Sequence, residues 1–180
     1  ASGFDMDILY TDRKKLSHVD YQWCADLHTL AHESDFLVIA TVGGASTKHL
    51  INEAVLRALG PKGMVINIAR GSVIDEQVMV KLLTEGALGG AGLDVFEHEP
   101  KVPDALKTMN NVALMPHVAS ATHETRRAML DSLLDNLGCT RCLKLAKSTG
   151  NQPIHNLGVP TGSNNVNLLT RCARAQFGSA

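Results

Sequence analysis

The 180-residue chain has few aromatic residues, few cysteines and no long apolar run. Aromatic residues make up 4% of the sequence, and no apolar stretch approaches the ~20 residues that a membrane-spanning helix needs. Most of its 4 cysteines are crowded into the last quarter of the chain, unlike the pattern of a small disulfide scaffold. These absences argue against a membrane-spanning protein and against a disulfide-stabilised secreted domain. We therefore expect a cytoplasmic protein with no membrane partner.

The chain also lacks an excess of charge of either sign. Its 17 lysines and arginines nearly balance its 18 aspartates and glutamates, giving a formal net charge of −1. This balance gives no reason to expect nucleic acid or an anionic membrane as a partner. The short basic run Arg13-Lys14-Lys15 is more typical of a solvated loop than of a binding surface.

Short apolar runs alternate with helical patterns, and this alternation predicts an α/β fold with a parallel sheet. The predicted strands cover 7–11, 36–40, 64–68, 91–95 and 112–115. The second of these is apolar throughout, as expected for a strand covered on both faces. Asn52 and Asp75 can each cap a helix, ending at Gly60 and near Gly86, and a last helix is predicted to open near Thr122.

The character of the sequence changes after Gly138, where the last predicted helix ends. Residues 148–167 are rich in Ser, Thr, Asn, Gly and Pro without a sustained period, which favours loop or disorder. We therefore predict a compact domain over 1–138 and an irregular or disordered tail over 139–180.

The tail contains a Cys139-x-x-Cys142 pair, and Cys172 and His155 also lie in it. These side chains could in principle bind zinc or act in redox chemistry. One such pair without a second, properly spaced pair is a weak signal, so we predict no metal site.

Four residues that could take part in binding or catalysis lie at or after the ends of predicted strands. Arg70 follows the third strand, Asp94 ends the fourth, Glu99 lies in the loop after it, and His117 follows the fifth. The carboxyl ends of parallel strands form one edge of the sheet, where ligands bind in such folds. An arginine, two carboxylates and a histidine at one edge could hold a carboxylate-bearing substrate and move a proton.

Each of these residues also has an ordinary structural interpretation. Arg70 could be a surface arginine, and Asp94 could cap the segment that follows it. Glu99 could be a solvated loop carboxylate, and His117 is one of 8 histidines. His98, beside Glu99, is an alternative acid/base candidate on the same reasoning. The shared strand edge favours the functional interpretation of the four together.

Three sequence blocks make the interpretation more specific. They are Asn67-Ile68-Ala69-Arg70-Gly71, Gly92-Leu93-Asp94-Val95-Phe96-Glu97-His98-Glu99-Pro100 and Met115-Pro116-His117-Val118-Ala119-Ser120-Ala121-Thr122. From about Gly3 to Leu137 the chain resembles the D-isomer-specific 2-hydroxyacid dehydrogenases. The resemblance implies a Rossmann-type, doubly wound parallel sheet and the reduction of a small 2-keto acid.

The resemblance also implies roles for individual residues. Arg70 would hold the substrate's carboxylate and carbonyl, His117 would protonate the carbonyl oxygen, and Glu99 would pair with His117. Asp94 is similar to the residue that holds the nicotinamide carboxamide. Further cofactor-binding positions implied by the family are Asp12, Arg13, Thr41, Val42 and Ile68.

The cofactor expected from this resemblance is NAD, with NADP the weaker alternative. Asp12 stands where the family places the acid that reads the ribose, and a carboxylate there repels a 2′-phosphate. Arg13, Lys14 and Lys15 argue weakly for NADP. Val42 stands where the family usually has proline, before a Gly43-Gly44 pair.

The sequence departs from the family in one respect that concerns the whole fold. The dinucleotide fingerprint G-x-G-x-x-G is absent, and residues 1–4 resemble the end of the helix that follows it. We therefore expect an incomplete fold without its central first strand, whose neighbours would have unpaired edges, and a chain that is inactive alone.

Three functions remain open at this point. The first is an oxidoreductase of glyoxylate, hydroxypyruvate or lactate type, which we expect to form a homodimer when complete. The second is an NAD(H)-sensing binding module similar to the C-terminal-binding-protein corepressors. The third is an inert truncated relative.

Overall fold

A computed structural model describes residues 2–133 and the backbone of residues 169–174. The chain divides into two compact units, one formed by Ala1–Pro116 with Val166–Ala180 and one by His117–Asn165. The first unit contains the sheet, and the second contains a helix over residues 123–133. None of the helices in the described part of the chain has the length and apolar character needed to cross a membrane.

The first unit is a seven-stranded sheet with short helices between the strands. Its strands are β1 (Asp7–Thr11), β2 (Gln22–Trp23), β3 (Phe36–Ala40), β4 (Met64–Asn67), β5 (Gly90–Leu93), β6 (Val112–Leu114) and β7 (Leu169–Arg174). Its α-helices are α1 (Leu27–His32), α2 (Glu53–Leu59), α3 (Glu76–Thr84) and α4 (Asp104–Thr108). The strand order is β2-β1-β7-β3-β4-β5-β6, and every pairing that does not involve β7 is parallel. The predicted parallel α/β architecture is confirmed.

The helix boundaries follow from capping chemistry. Asn52 accepts a hydrogen bond from Val55 N at 3.2 Å, and Asp75 accepts one from Val78 N at 3.2 Å. Gly60, with φ at 79°, then ends the first of these helices in a conformation that favours glycine. These caps confirm the predicted starts of α2 and α3.

The core lies between the sheet and helices α1, α2 and α3. In β3, Leu37 and Ile39 are fully buried and belong to this core, whereas Phe36 and Val38 are half-buried. Because side chains alternate across a strand, the face of β3 that carries Leu37 and Ile39 is buried more deeply than the face that carries Phe36 and Val38.

The strand β7 corrects two expectations about the sheet. The sequence predicts an irregular tail. It also predicts unpaired edges on the strands beside the absent central first strand. Instead β7 pairs antiparallel with both β1 and β3, with Cys172 opposite Leu9 and Leu37. The two edges expose backbone N–H and C=O groups, and a strand between them satisfies both rows. It lies third in the strand order, between β1 and β3, and runs antiparallel to both.

The helix of the second unit opens where the sequence predicts. Thr122 Oγ1 accepts a hydrogen bond from Thr125 N at 3.2 Å, and Thr122 O accepts one from Arg126 N at 2.9 Å. Leu130 and Leu133 are 53% and 56% exposed. The predicted end at Gly138, the domain boundary there, and Cys139, Cys142 and His155 lie outside the described residues. Of Cys172 only the backbone is described.

Candidate active site

Arg70 is placed by a tight turn after β4. The buried side chain of Asn67 accepts a hydrogen bond from Ala69 N at 3.0 Å and donates one to Arg70 O at 3.0 Å. An amide side chain can do both because it carries a donor and an acceptor. Arg70 itself is exposed, and its Nη1 donates to Ala69 O at 2.6 Å. The turn therefore holds the arginine at the carboxyl edge of the sheet.

A cavity of about 400 Å³ opens beside Arg70. Its lining comes from the ends of β3 and β4: Ala40, Thr41, Val42, Gly43, Ile68, Ala69 and Arg70. Val42 and Ile68 are 53% and 51% exposed, which gives the cavity an apolar surface beside one cation. A Cβ at Gly43 would lie 2.5 Å from Arg70 Cγ, so only glycine allows the two loops to approach this closely.

The loop after β5 carries Asp94 and Glu99. Asp94 is 7% exposed, and its backbone N donates to Asn67 O at 3.0 Å. Glu99 Oε1 accepts from Phe96 N at 3.0 Å, so its carboxylate folds back on its own loop. A Cβ at Gly71 would overlap the Phe96 carbonyl group. The loops after β4 and β5 are thus packed directly against each other.

Glu99 lines a second cavity, of about 860 Å³, rather than the one beside Arg70. His98 lines it as well, together with Lys107 and Asp104, which form a hydrogen bond of 2.7 Å. This hydrogen bond from Lys107, together with its charge, lowers the pKa of the Asp104 carboxyl. The first unit therefore brings Arg70, Asp94 and Glu99 to one sheet edge but not into one cavity.

His117 is the first residue of the second unit. It is exposed, and its φ of 54° lies in the left-handed region. Few residues other than glycine adopt this conformation, although histidine does so more often than most. Such a backbone conformation costs about 1–3 kcal/mol and is common at functional sites. The local geometry thus distinguishes His117 from His98, which has an ordinary backbone conformation.

Asp12 directly follows β1. Its Oδ1 accepts a hydrogen bond from Arg13 N at 2.6 Å, and Trp23 Nε1 donates to its backbone O at 3.4 Å. Its Oδ2 is buried and has no hydrogen-bond partner among the described residues. A buried carboxylate oxygen requires a donor, and a ribose hydroxyl would supply one. Arg13 and the two lysines after it are exposed, as predicted for a solvated loop.

Sequence reasoning does not predict the pair formed by His49 and Glu97. His49 Nε2 lies 2.8 Å from Glu97 Oε1, although the residues are 48 positions apart. Glu97 lies in one of the three family-like blocks, but nothing in that block indicates His49 as its partner. In the part of the chain that the structure describes, no group of three or more His, Cys, Asp or Glu side chains is arranged to hold a metal ion.

Comparison with known proteins identifies the family. Residues 1–119 match the D-isomer specific 2-hydroxyacid dehydrogenase, NAD binding domain. The chain belongs to this family. It is 49% identical over 137 residues to hydroxyphenylpyruvate reductase of Plectranthus scutellarioides, and 47% identical over 137 residues to glyoxylate/hydroxypyruvate reductase A of Arabidopsis thaliana. Each match covers 76% of this chain and 44% of the relative, so the chain spans less than half the length of these relatives.

Solved structures agree with the family assignment. The NADPH-dependent glyoxylate/hydroxypyruvate reductase of Sinorhizobium meliloti, in complex with NADP and malonate, matches with a TM-score of 0.68 and 41% sequence identity. The match covers 83% of this chain and 47% of that chain. The chain therefore has the Rossmann-like fold of an NAD(P)-binding domain.

Proposed function

We propose that this chain is the cofactor-binding part of an oxidoreductase that transfers a hydride between NAD(P)H and a small 2-keto or 2-hydroxy acid. The observation that carries the proposal is the cavity beside Arg70, which combines an apolar surface with one cation at the carboxyl edge of a family-typical sheet. The relatives' names indicate glyoxylate and hydroxypyruvate as the first substrates to test.

In this reaction Arg70 binds the carboxylate and carbonyl oxygens of the keto acid through its planar guanidinium group. His117 donates a proton to the carbonyl oxygen, and Glu99 is the carboxylate that we propose as its partner. Bound NAD(P)H supplies the hydride, which is chemistry that no side chain can provide. The chain's own part is to orient the acid, stabilise negative charge on its carbonyl oxygen and deliver the proton.

The residues present fit such a cofactor. Asp12 would accept hydrogen bonds from the ribose hydroxyls at its buried Oδ2, with Arg13 beside it. Thr41, Val42 and Ile68 would contact the nicotinamide side from the cavity wall, and Asp94 would hold the carboxamide. We propose NAD as the preferred cofactor, because the charge of Asp12 repels a 2′-phosphate. The Sinorhizobium relative is NADPH-dependent, so the preference for NADH or NADPH has to be measured for this chain.

We further propose that the complete enzyme is a cytoplasmic homodimer. The described part of the chain contributes one free cysteine, Cys24, which fits a reducing compartment. Sedimentation velocity of the complete protein measures its oligomeric state, and a fluorescent fusion shows its location. A monomer at micromolar concentration, or a secreted fusion, would contradict these two proposals.

The proposed reaction can be tested in a chimera that supplies the remainder of the family fold. In the chimera, residues 1–133 of this chain replace the matching stretch of the Plectranthus reductase. It should oxidise NADH with glyoxylate and hydroxypyruvate, but far more slowly with the uncharged methyl esters of these acids. Arg70→Ala should lower kcat/KM for the acids about 100-fold or more and lower the ester rates much less, because the esters keep the carbonyl oxygen but lack the carboxylate.

Two outcomes would count against the proposed function. Equal rates for acids and esters would mean that Arg70 does not bind a carboxylate. Tight NADH binding by a folded chimera without turnover of any keto acid would favour the corepressor-like binding module instead.

A further inference from the structure

The pair formed by His49 and Glu97 has no part in the reaction described above. His49 Nε2 lies 2.8 Å from Glu97 Oε1, and its Nδ1 lies 3.8 Å from Asp75 Oδ2. An ionised carboxylate only accepts hydrogen bonds, so Nε2 must be the donor. The side chain of Glu97 is 13% exposed and that of His49 36%. A carboxylate this far from water needs a partner, which makes this contact more than a loose surface ion pair.

Both partners are anchored to the loops that carry the candidate site. The backbone N of His49 donates to Ser72 O at 2.9 Å, two residues after Arg70. The backbone N of Glu97 donates to Glu76 Oε2 at 3.1 Å, and Glu76 is 7% exposed. The pair therefore joins the segment after β4 to the loop after β5 at the point where Gly71 lets them touch.

Glu99 lies two residues beyond Glu97 in the same loop. Its carboxylate accepts the hydrogen bond from Phe96 N at 3.0 Å, so its position depends on how residues 96 and 97 are held. Asp94, at the start of the loop, is fixed separately by the bond from its N to Asn67 O. Loss of the pair would thus loosen residues 96 and 97, on which this hydrogen bond of Glu99 depends, while the bond from Asp94 N to Asn67 O would remain.

We propose that His49 and Glu97 are positioning residues that keep Glu99 in a fixed position relative to the loop that carries Arg70. The catalytic consequence rests on the proposed function, whereas the positioning itself does not. The pair acts on the proton-transfer side of the site and leaves cofactor binding to Asp12 and Asp94.

The positioning is tested by hydrogen–deuterium exchange on the whole 180-residue chain without ligand. His49→Ala and Glu97→Ala should each speed exchange of the amides of residues 96 and 97 about tenfold. The amides of β4 and β5 should keep their protection, and the double variant should not exceed the larger single effect. Glu97→Gln still offers an amide oxygen to His49 and should stay close to the parent chain.

A second histidine provides the matched control. His32 contacts Glu33 at 3.1 Å on the exposed surface of α1, so His32→Ala should leave residues 96 and 97 unchanged. If His49→Ala does not fold, His49→Gln should give a smaller rise confined to the same amides. Unchanged exchange in the variants, or a uniform rise over all strands, overturns the proposal.

The catalytic consequence is measured in the chimera. His49→Ala and Glu97→Ala should lower kcat for the keto acid about 10-fold to 100-fold, the loss expected from misplacing a group near the chemistry. The KM for NADH should stay within about twofold, and Glu97→Gln should restore most of kcat. An unchanged kcat, or an equal loss in NADH binding, overturns this part. An inactive parent chimera contradicts the proposed function, while the exchange experiment still decides the positioning.

Discussion

Single residues with unusual surroundings define the candidate site more sharply than its charged groups alone. Asp12 has a buried carboxylate oxygen without a partner among the described residues, and His117 has a left-handed backbone. Both features cost free energy, about 1–3 kcal/mol each, and the left-handed backbone also occurs at Asp5 and His49. At Asp12, a hydrogen-bond donor on a bound ligand would recover that cost.

The assignment of the acid/base predicts a difference between two nearby histidines. In the chimera, His117→Ala should lower turnover of a 2-keto acid by about 10²–10⁴, because the carbonyl oxygen loses its proton donor. His98→Ala is the matched control and should leave turnover within about threefold. Steady-state kinetics measure both. The assignment is wrong if His98→Ala causes the loss and His117→Ala does not.

The charge at Asp12 predicts the choice of cofactor. Asp12→Ser should narrow or reverse the preference of the chimera for NADH over NADPH, because it removes the repulsion of the 2′-phosphate. Lys14→Ser, at an exposed neighbouring position, changes the net charge by one unit in the opposite direction and should shift the ratio far less. The readout is the ratio of kcat/KM for the two cofactors. A parent chimera that prefers NADPH would contradict the role given to Asp12.

At the scale of elements, the site depends on two loops that pass within contact distance. The turn after β4 is held by Asn67, and the loop after β5 crosses directly over Gly71. The absence of a Cβ at Gly71 is what permits this crossing. A substitution there acts on both loops together and so reaches Arg70, Asp94 and Glu99 at once.

Gly71→Ala is expected to destabilise the chain by about 1–3 kcal/mol, the usual cost of forcing an extra group into a packed site. Gly3→Ala is the control, because a Cβ at Gly3 meets nothing within 4 Å. Urea unfolding followed by circular dichroism gives the free energies of unfolding of both variants. Equal stability of the two would mean that the loops are not packed as described.

The sequence predicts the regular elements well where local chemistry decides them. Alternation of apolar runs with capped helices indicated β1, β3 and β4, and Asn52 and Asp75 marked helix starts through their own side chains. Other features depend on contacts between distant residues. The bond between His49 and Glu97 spans 48 positions, and only the folded chain brings the two together.

The whole molecule contains an antiparallel strand in the middle of a parallel sheet. The sequence of β7 lacks the apolar run of a buried strand, so periodicity does not reveal it. The backbone N–H and C=O groups of β1 and β3 need hydrogen-bond partners, and β7 supplies them. This need cannot be seen in the local sequence of β7, and it explains why the expectation of unpaired edges is wrong.

This sheet arrangement predicts that the tail contributes to stability. Cys172→Pro removes a backbone N–H from the centre of β7 and should lower the free energy of unfolding by about 1 kcal/mol or more. Ala180→Pro, at the last residue, is the control and should have little effect. Urea unfolding of the 180-residue chain measures both. Identical midpoints for the parent and Cys172→Pro would contradict the pairing of β7.

The proposed role of this chain is to supply the cofactor-binding part of a 2-hydroxyacid dehydrogenase. The most direct measurement is keto-acid-dependent consumption of NADH by the chimera and, at equal concentration, by the 180-residue chain. The chimera should turn over glyoxylate or hydroxypyruvate. The chain alone should not, because it has no G-x-G-x-x-G loop whose backbone amides would bind the pyrophosphate. A folded chimera that binds NADH without turnover, or turnover by the chain alone, would contradict the account.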